Sequence, residues 1–268
     1  MPLIGAIQSL QNPHVKRVRR LQSKKRDRYR ERQFVAEGYR LVQHAVTRGY
    51  RPALVFFTAN AAETAWRPLI DTLVTSDCPV WEVSEGVMAA MADTVTPQGI
   101  LAVLPLPEHD VEQVAGDDLL LIVESWRTPG NLGTVLRTAL ATGVGGVLCS
   151  PGTVDPYAPK VVRGAMGAHF DLPILADLSW DRIAALVAGR QRILADASGQ
   201  ATLWDVDWTV PTALIVGSEA RGPGAEAQTL ATQVARIPMA EGAESLNAAV
   251  AAAAFLFEAQ RQRTIRAG

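Results

Sequence analysis

Apolar residues recur along this chain in two rhythms. Near the start, Asn12 and Pro13 supply an N-cap and a first-turn proline, and Val15, Val18 and Leu21 then return at helical spacing. Lys16, Arg17, Arg19, Arg20, Lys24 and Lys25 fill the other faces of that helix. A short strand at Phe34–Ala36 precedes a helix over Tyr39–Arg48, which Gly49 ends. Strand-like runs follow at Ala53–Phe57, Val80–Val83 and Ile100–Leu104 with helical stretches between them, so this part of the chain predicts a small α/β domain.

Between Pro105 and Asp118 the sequence turns rich in proline and acid and loses its large apolar residues, which predicts a linker and domains over 1–111 and 112–268. The alternation restarts with LLLIV at 119–123, a helix over Leu132–Thr142 and a strand at Gly146–Cys149. Further strands are predicted at Arg192–Ala195, Ala213–Val216 and Val234–Ile237. Their runs are apolar without strict alternation, the pattern of parallel strands covered on both faces. The last helix, Ser245–Arg263, is nearly all apolar in its first half and must be buried on most sides, within the domain or against a second copy of the chain.

Composition narrows the class. No apolar run reaches the roughly 18 residues a membrane span needs, and the N-terminus lacks the basic start and long apolar middle of a signal peptide. The expectation is a cytoplasmic protein with no membrane partner. Cys78 and Cys149 have no CxxC spacing, so they read as buried small hydrophobes, and no metal is expected. The formal net charge of −1 conceals an asymmetry: residues 1–52 carry thirteen Lys or Arg against three acids, and the remainder thirteen against twenty-four. Such a basic end reads equally as a solvated helix face or as a phosphate-binding arm, with Arg19, Arg20, Lys24 and Lys25 as the candidate contacts.

Three loops, each after the carboxyl end of a predicted strand, carry the candidate chemistry, because open α/β sheets bind ligands there. In ESWRTPGNLGTVLRTA at 124–139, Pro129, Gly130 and Gly133 make a tight turn into a helix with free backbone N–H groups. Arg137 points off that helix's apolar stripe, and standing alone it reads as a solvated arginine. In VGSEARGPG at 216–224 the small residues let a ligand approach the backbone, and Glu219, the only acid, reads alone as a surface residue. In RIPMAEGAESLNAAVAAAAFLFE at 236–258, Ser245 or a neighbour serves as a helix cap and Asn247 offers both donor and acceptor.

In this order and at these separations the three loops resemble the signature motifs of the SpoU/TrmH family of RNA ribose methyltransferases, within the SPOUT superfamily. The resemblance extends to YAPKVVRGAMGAHFDLPI at 157–174, where Lys160 and Arg163 add candidate RNA contacts. SLQNPHVKRVRRL and FVAEGYRLV are similar to the family's N-terminal RNA substrate-binding domain, so nearly the whole chain is covered. The resemblance implies S-adenosyl-L-methionine as methyl donor, with Gly217, Gly222, Ile237, Met239 and Leu246 around it. It implies Asn131, Arg137, Glu219, Ser245 and Asn247 at the reacting centre, and a homodimer with the site at the interface. Ala248 and Ala249 stand where many members have valine and serine, and Ala220 and Pro223 replace commoner glycine and leucine.

The fold so implied is a small N-terminal α/β RNA-binding domain plus a mostly parallel α/β SPOUT domain with a C-terminal trefoil knot. Periodicity alone invites an ordinary doubly wound sheet, since knots are nearly absent from proteins. An ordinary nucleotide-binding enzyme, however, predicts a GxGxxG or Walker loop, and neither is present. A non-catalytic RNA-binding or ribosome-assembly protein is the rival from another class, and Asn131, Arg137, Glu219 and Asn247 argue against it. Ribosomal RNA is favoured over transfer RNA as substrate because the N-terminal domain resembles the type in rRNA-modifying members. A guanidinium stays protonated, so the role expected of Arg137 is to hold the target's phosphate and stabilise charge on its oxygen, with Glu219 and Asn131 orienting it.

Overall fold

The computed structural model describes residues 5–63, 66–76, 78–109, 111–219, 221–242 and 245–267; the Ala220 departure noted above lies outside them. Packing divides the chain into two units, residues 1–107 with 157–170, and residues 108–156 with 171–268.

The first unit opens with β1 (Gly5–Ile7) and α1 (Pro13–Ser23), where the Asn12 side chain accepts from the His14 N–H at 2.8 Å. Val15, Val18 and Leu21 are fully buried, each contributing about 1.5–3 kcal/mol of apolar transfer. The helix is interrupted at Lys24, whose extended backbone separates it from α2 (Lys25–Glu31). There follow β2 (Gln33–Glu37), α3 (Tyr39–Thr47), β3 (Leu54–Phe57), α4 (Ala59–Ala62), α5 (Arg67–Thr75), β4 (Val80–Val83), α6 (Glu85–Met91) and β5 (Ile100–Pro105). The strands form one sheet in the order β1-β4-β3-β5-β2, with β5 antiparallel to its two neighbours. Alternate residues feed opposite cores: Phe34, Ala36, Ile100, Ala102 and Leu104 join one cluster, and Val35, Leu101 and Val103 join the other, beneath α1. Tyr157, Val162 and Phe170 complete the first cluster, so a stretch read from sequence as part of the second domain packs into this core.

In the second unit the stretch read as a linker contains α7 (Val111–Gly116), and its Val114 is fully buried. The chain continues through β6 (Leu119–Val123), α8 (Pro129–Ala141) and β7 (Gly146–Cys149), then enters the first unit's core with α9 (Pro159–Ala165). It returns through β8 (Ile174–Leu175), α10 (Trp180–Leu186), β9 (Gln191–Ala195), β10 (Ala201–Thr202), β11 (Thr212–Val216), α11 (Ala225–Leu230), β12 (Gln233–Arg236) and α12 (Ala248–Ala267). Seven strands, every pairing parallel, lie in the order β10-β12-β9-β11-β6-β7-β8. Every residue of β6 and β11 is buried, which explains runs with no polar alternation. Because β11 is inserted between β9 and β6, the carboxyl ends of β6, β11, β9 and β12 stand side by side, and the loops leaving them meet.

Candidate active site

The loop after β6 begins with Glu124, buried to 6% exposure, and Ser125, whose φ of 53° turns the chain sharply. Both carboxylate oxygens of Glu124 accept from the Gly224 N–H, at 3.1 and 3.0 Å. Burial pushes this carboxyl above its ordinary value; the Gly224 N–H works against that shift and nearby Glu226 adds to it. The fully buried Trp126 donates its indole N–H to the carbonyls of Val216 (3.3 Å) and Gly217 (3.0 Å). These two side chains fasten the 124–131 loop to the 216–224 loop before any ligand is considered.

Glu219 closes the arrangement. Its Oε2 accepts from the backbone N–H of Arg127 (3.2 Å), the N–H of Thr128 (3.1 Å) and the Thr128 hydroxyl (2.9 Å), satisfying donors left free where α8 begins. Its Oε1 accepts from Asn131 Nδ2 in a short hydrogen bond. Asn131 Oδ1 in turn accepts from Asn247 Nδ2 at 3.0 Å. Asn247 also caps α12, its Oδ1 taking the N–H of Ala249 at 2.9 Å and of Val250 at 3.3 Å. One amide thus serves two ends: its oxygen caps α12 and its nitrogen reaches Asn131. One hydrogen-bonded row, Glu219–Asn131–Asn247, joins all three loops that the sequence singled out.

Beside this row lies a cavity of about 260 Å³ among the carboxyl ends of β9, β11 and β12 and the start of α12. Gly217, Glu219, Gly222, Ile237, Met239, Ser245 and Leu246, all named from sequence, line it. A Cβ on Gly217 would stand 2.6 Å from the Pro223 nitrogen, so only glycine lets this loop fold back on itself. The walls combine apolar side chains (Ile237, Met239, Leu246, Phe255) with backbone and a few polar groups (Asp196, Ser218, Ser245), which fits a donor that carries a flat base, polar hydroxyls and a thioether-like arm.

Arg137 is not brought to this row by its own chain. It is exposed on α8, off the buried stripe of Leu132, Val135, Leu136 and Ala139, and makes no hydrogen bond or ion pair among the described residues. α12 packs against α8, and its Val250 and Phe257 are each 54% exposed.

In the first unit the basic residues divide into two sets. Arg17 reaches Glu31 at 2.8 Å, Arg20 reaches Glu31 at 3.3 Å, and Arg30 reaches Asp27 at 2.9 Å. Burial raises the Glu31 carboxyl, but the guanidiniums of Arg17 and Arg30, with Arg20, outweigh it and hold it below its ordinary value. Lys25 sits 5.5 Å from the Tyr29 ring. Arg19 and Lys24, and with them Lys16 and Arg26, are exposed with no ion pair among the described residues. Lys160 is exposed on α9, and Arg163 is paired with Asp93. Cys78 and Cys149 are buried and form no disulfide, with burial pushing the Cys78 thiol up to about 11.

Sequence reading missed Glu124, Trp126, Asp196 and Phe255. Asp196 follows β9 in a small-residue turn, a recognisable signal once β9 is known to neighbour β11. Glu124 and Trp126 gave none, because their partners lie about ninety or more positions away.

Comparison with known proteins covers both parts of the chain, with residues 157–170 falling inside the methylase match. Residues 118–257 match the model of the SpoU rRNA Methylase family, and residues 12–102 that of the MRM3-like substrate binding domain. The chain is 37% identical to an uncharacterized tRNA/rRNA methyltransferase of Synechocystis over 97% of its own length and 95% of the relative's. It is 32% identical to the 23S rRNA (guanosine(2553)-2'-O)-methyltransferase RlmP of Bacillus subtilis, covering 94% of this chain and 97% of that one. Among solved structures it is similar to the SpoU methyltransferase AviRb of Streptomyces viridochromogenes in complex with AdoMet, with a TM-score of 0.86, 28% identity, and coverage of 95% and 99% of the two chains.

Proposed function

The chain belongs to the SpoU rRNA methylase family and is an S-adenosylmethionine-dependent RNA methyltransferase; we propose that it methylates a ribose 2'-hydroxyl of ribosomal RNA at a centre built from Asn131, Glu219, Ser245 and Asn247 of one subunit and Arg137 of a second. The observation that carries this reading is the row Glu219–Asn131–Asn247 along the edge of the cavity. When bound, S-adenosylmethionine supplies a methyl group on a sulfonium whose departure leaves a neutral thioether. Gly217, Gly222, Ile237, Met239 and Leu246 would hold it. Glu219 orients Asn131, and Asn131 orients Asn247, so both amides are fixed before the hydroxyl arrives and no reorganisation accompanies reaction. Arg137, free on the outer face of α8, would hold the target's phosphate and stabilise charge growing on the attacking oxygen.

A homodimer is part of the same proposal. The exposed apolar Val250 and Phe257 on α12, the helix packed against α8, support it. The C-terminal trefoil knot belongs with it, supported by the late insertion of β11 between β9 and β6. No helix among the described residues is long and apolar enough to cross a membrane; a cytoplasmic place of action is part of the same proposal, supported by the bacterial rRNA methyltransferase to which the chain is similar.

Mapping ribose methylation in cells with and without this protein tests the reading. One 2'-O-methyl in ribosomal RNA should vanish on deletion, return with the wild-type chain and stay absent with Asn131→Ala. An unchanged ribosomal map, or a lost mark only in transfer RNA, overturns it.

A further inference from the structure

In the first unit lies a cleft of about 610 Å³ that none of the reaction chemistry uses. The rings of Tyr39 and Trp66 line it and stack on each other, centroids 5.3 Å apart and planes 15° from parallel. Met166 lines it too, 48% exposed, in the left-handed turn that ends α9. Arg40 supplies positive charge and has no ion pair among the described residues, while Arg163, already paired with Asp93, and Glu37 also line the cleft. Gln98 adds a directional group. Its Oε1 accepts the Tyr39 backbone N–H at 3.1 Å and lies over Gly38, whose missing Cβ would be 2.8 Å from it. That bond fixes which way the amide faces, leaving Nε2 as the free group, a donor.

Flat aromatic and thioether surface, guanidinium charge and one oriented N–H donor together match a flat heteroaromatic ring that carries a carbonyl acceptor and is tethered to an anion. We infer that this cleft binds an unpaired nucleotide of the RNA substrate, its base extending the Tyr39–Trp66 stack, its carbonyl edge on Gln98 Nε2 and its phosphate on Arg40. Paired bases are closed to such a contact, because their faces are already stacked within the duplex. The first unit then reads RNA in two ways: general attraction by the free lysines and arginines of its N-terminal helices, and selection of a single-stranded position by this cleft. The inference rests on the RNA-methyltransferase reading but concerns a different surface from the methyl-transfer centre.

The test compares a twelve-nucleotide oligouridylate with a blunt-ended, fully base-paired RNA duplex of equal charge, both bound to the full chain. Trp66→Ala should weaken oligouridylate binding about tenfold, the effect of losing one base–aromatic stack, while duplex binding stays within twofold. Trp66→Phe should restore most of the loss. Gln98→Ala, an exposed change that keeps the fold, should erase the preference for oligouridylate over oligoadenylate, which lacks the carbonyl. Equal affinities of wild type and Trp66→Ala for the single strand, or equal losses on strand and duplex, overturn the proposal. If duplex binding and methyl transfer persist through that result, the enzyme reading stands and only the cleft is wrongly assigned. If the wild-type chain binds neither RNA, the cleft proposal fails, and the ribosomal methylation map decides the proposed function separately.

Discussion

The two units solve opposite problems with the same kind of layered α/β construction. In the second, recognition is assembled from backbone turns and neutral amides whose hydrogen bonds are already made: Glu219 alone satisfies Arg127, Thr128 and Asn131, and Asn247 uses both ends of its amide. In the first, several long charged side chains carry no ion pair among the described residues, such as Arg19, Lys24 and Arg40. Chemistry at a sulfonium-bound methyl needs donors and acceptors fixed in advance, whereas capture of a polyanion needs charge that is free to adapt. The contrast predicts that changes in the second unit act on turnover and donor binding, and changes in the first on RNA affinity.

The sharpest challenge to this division is Arg137, which carries no ion pair among the described residues although it lies in the unit whose row Glu219–Asn131–Asn247 is fixed by hydrogen bonds. Arg137→Lys keeps the charge and loses the planar fork, so methyl transfer should fall on the order of 10²–10³-fold. Donor binding by calorimetry should be unchanged. Retention of most of the activity would remove Arg137 from the reacting centre and leave it a solvated residue.

Glu219→Ala comes next. It leaves the two backbone N–H groups at the start of α8 without their acceptor and frees Asn131, so donor affinity should drop roughly tenfold to a hundredfold, with a lower Tm. RNA affinity should not change. A variant that binds donor like the wild type would mean that the three loops hold together without their shared carboxylate.

How far the sequence foretold each region follows the same contrast. Five strands of the second sheet were legible because continuous apolar runs such as 119–123 and 213–216 have few other uses, and the three loops because their glycines and amides lie beside strand ends; β8 and β10, two residues each, are too short to show a pattern. The fastening of those loops was not legible. Trp126 and Glu124 look like any aromatic and acid until β11 is placed beside β6, a pairing of segments more than ninety positions apart. Nor could periodicity show that residues 157–170 pack into the first unit, because their buried Tyr157, Val162 and Phe170 suit a core in either one. The separation of α1 from α2 and the helix inside the acidic stretch at 111–116 depend on tertiary packing that overrides local composition.

For the first unit, the structure distinguishes cations that the sequence could only count. Replacing Lys16, Arg19, Lys24 and Arg26 with alanine should weaken RNA binding about tenfold and flatten the salt dependence by up to roughly 3 log units per log unit of salt, if all meet phosphates. Replacing Arg17 and Arg30 should instead lower the Tm, because Glu31 and the buried Asp27 lose their partners. Identical salt slopes for the two sets would erase the distinction between free and committed charge.

The smallest effect tests whether the second unit's site is fixed even against its own electrostatics. Burial raises Glu124, so the folded chain holds this proton more tightly than the unfolded chain does. Its contribution to stability is fully present below the unfolded value and is lost as pH rises through the folded one. Glu124→Gln mimics the protonated form and keeps an acceptor for the Gly224 N–H. The Tm of the variant relative to wild type should therefore climb as pH rises above the ordinary carboxylate value. A gap that narrows as pH rises would mean that the Gly224 hydrogen bond to the carboxylate outweighs its burial, and that the two loops are joined by the charge rather than in spite of it.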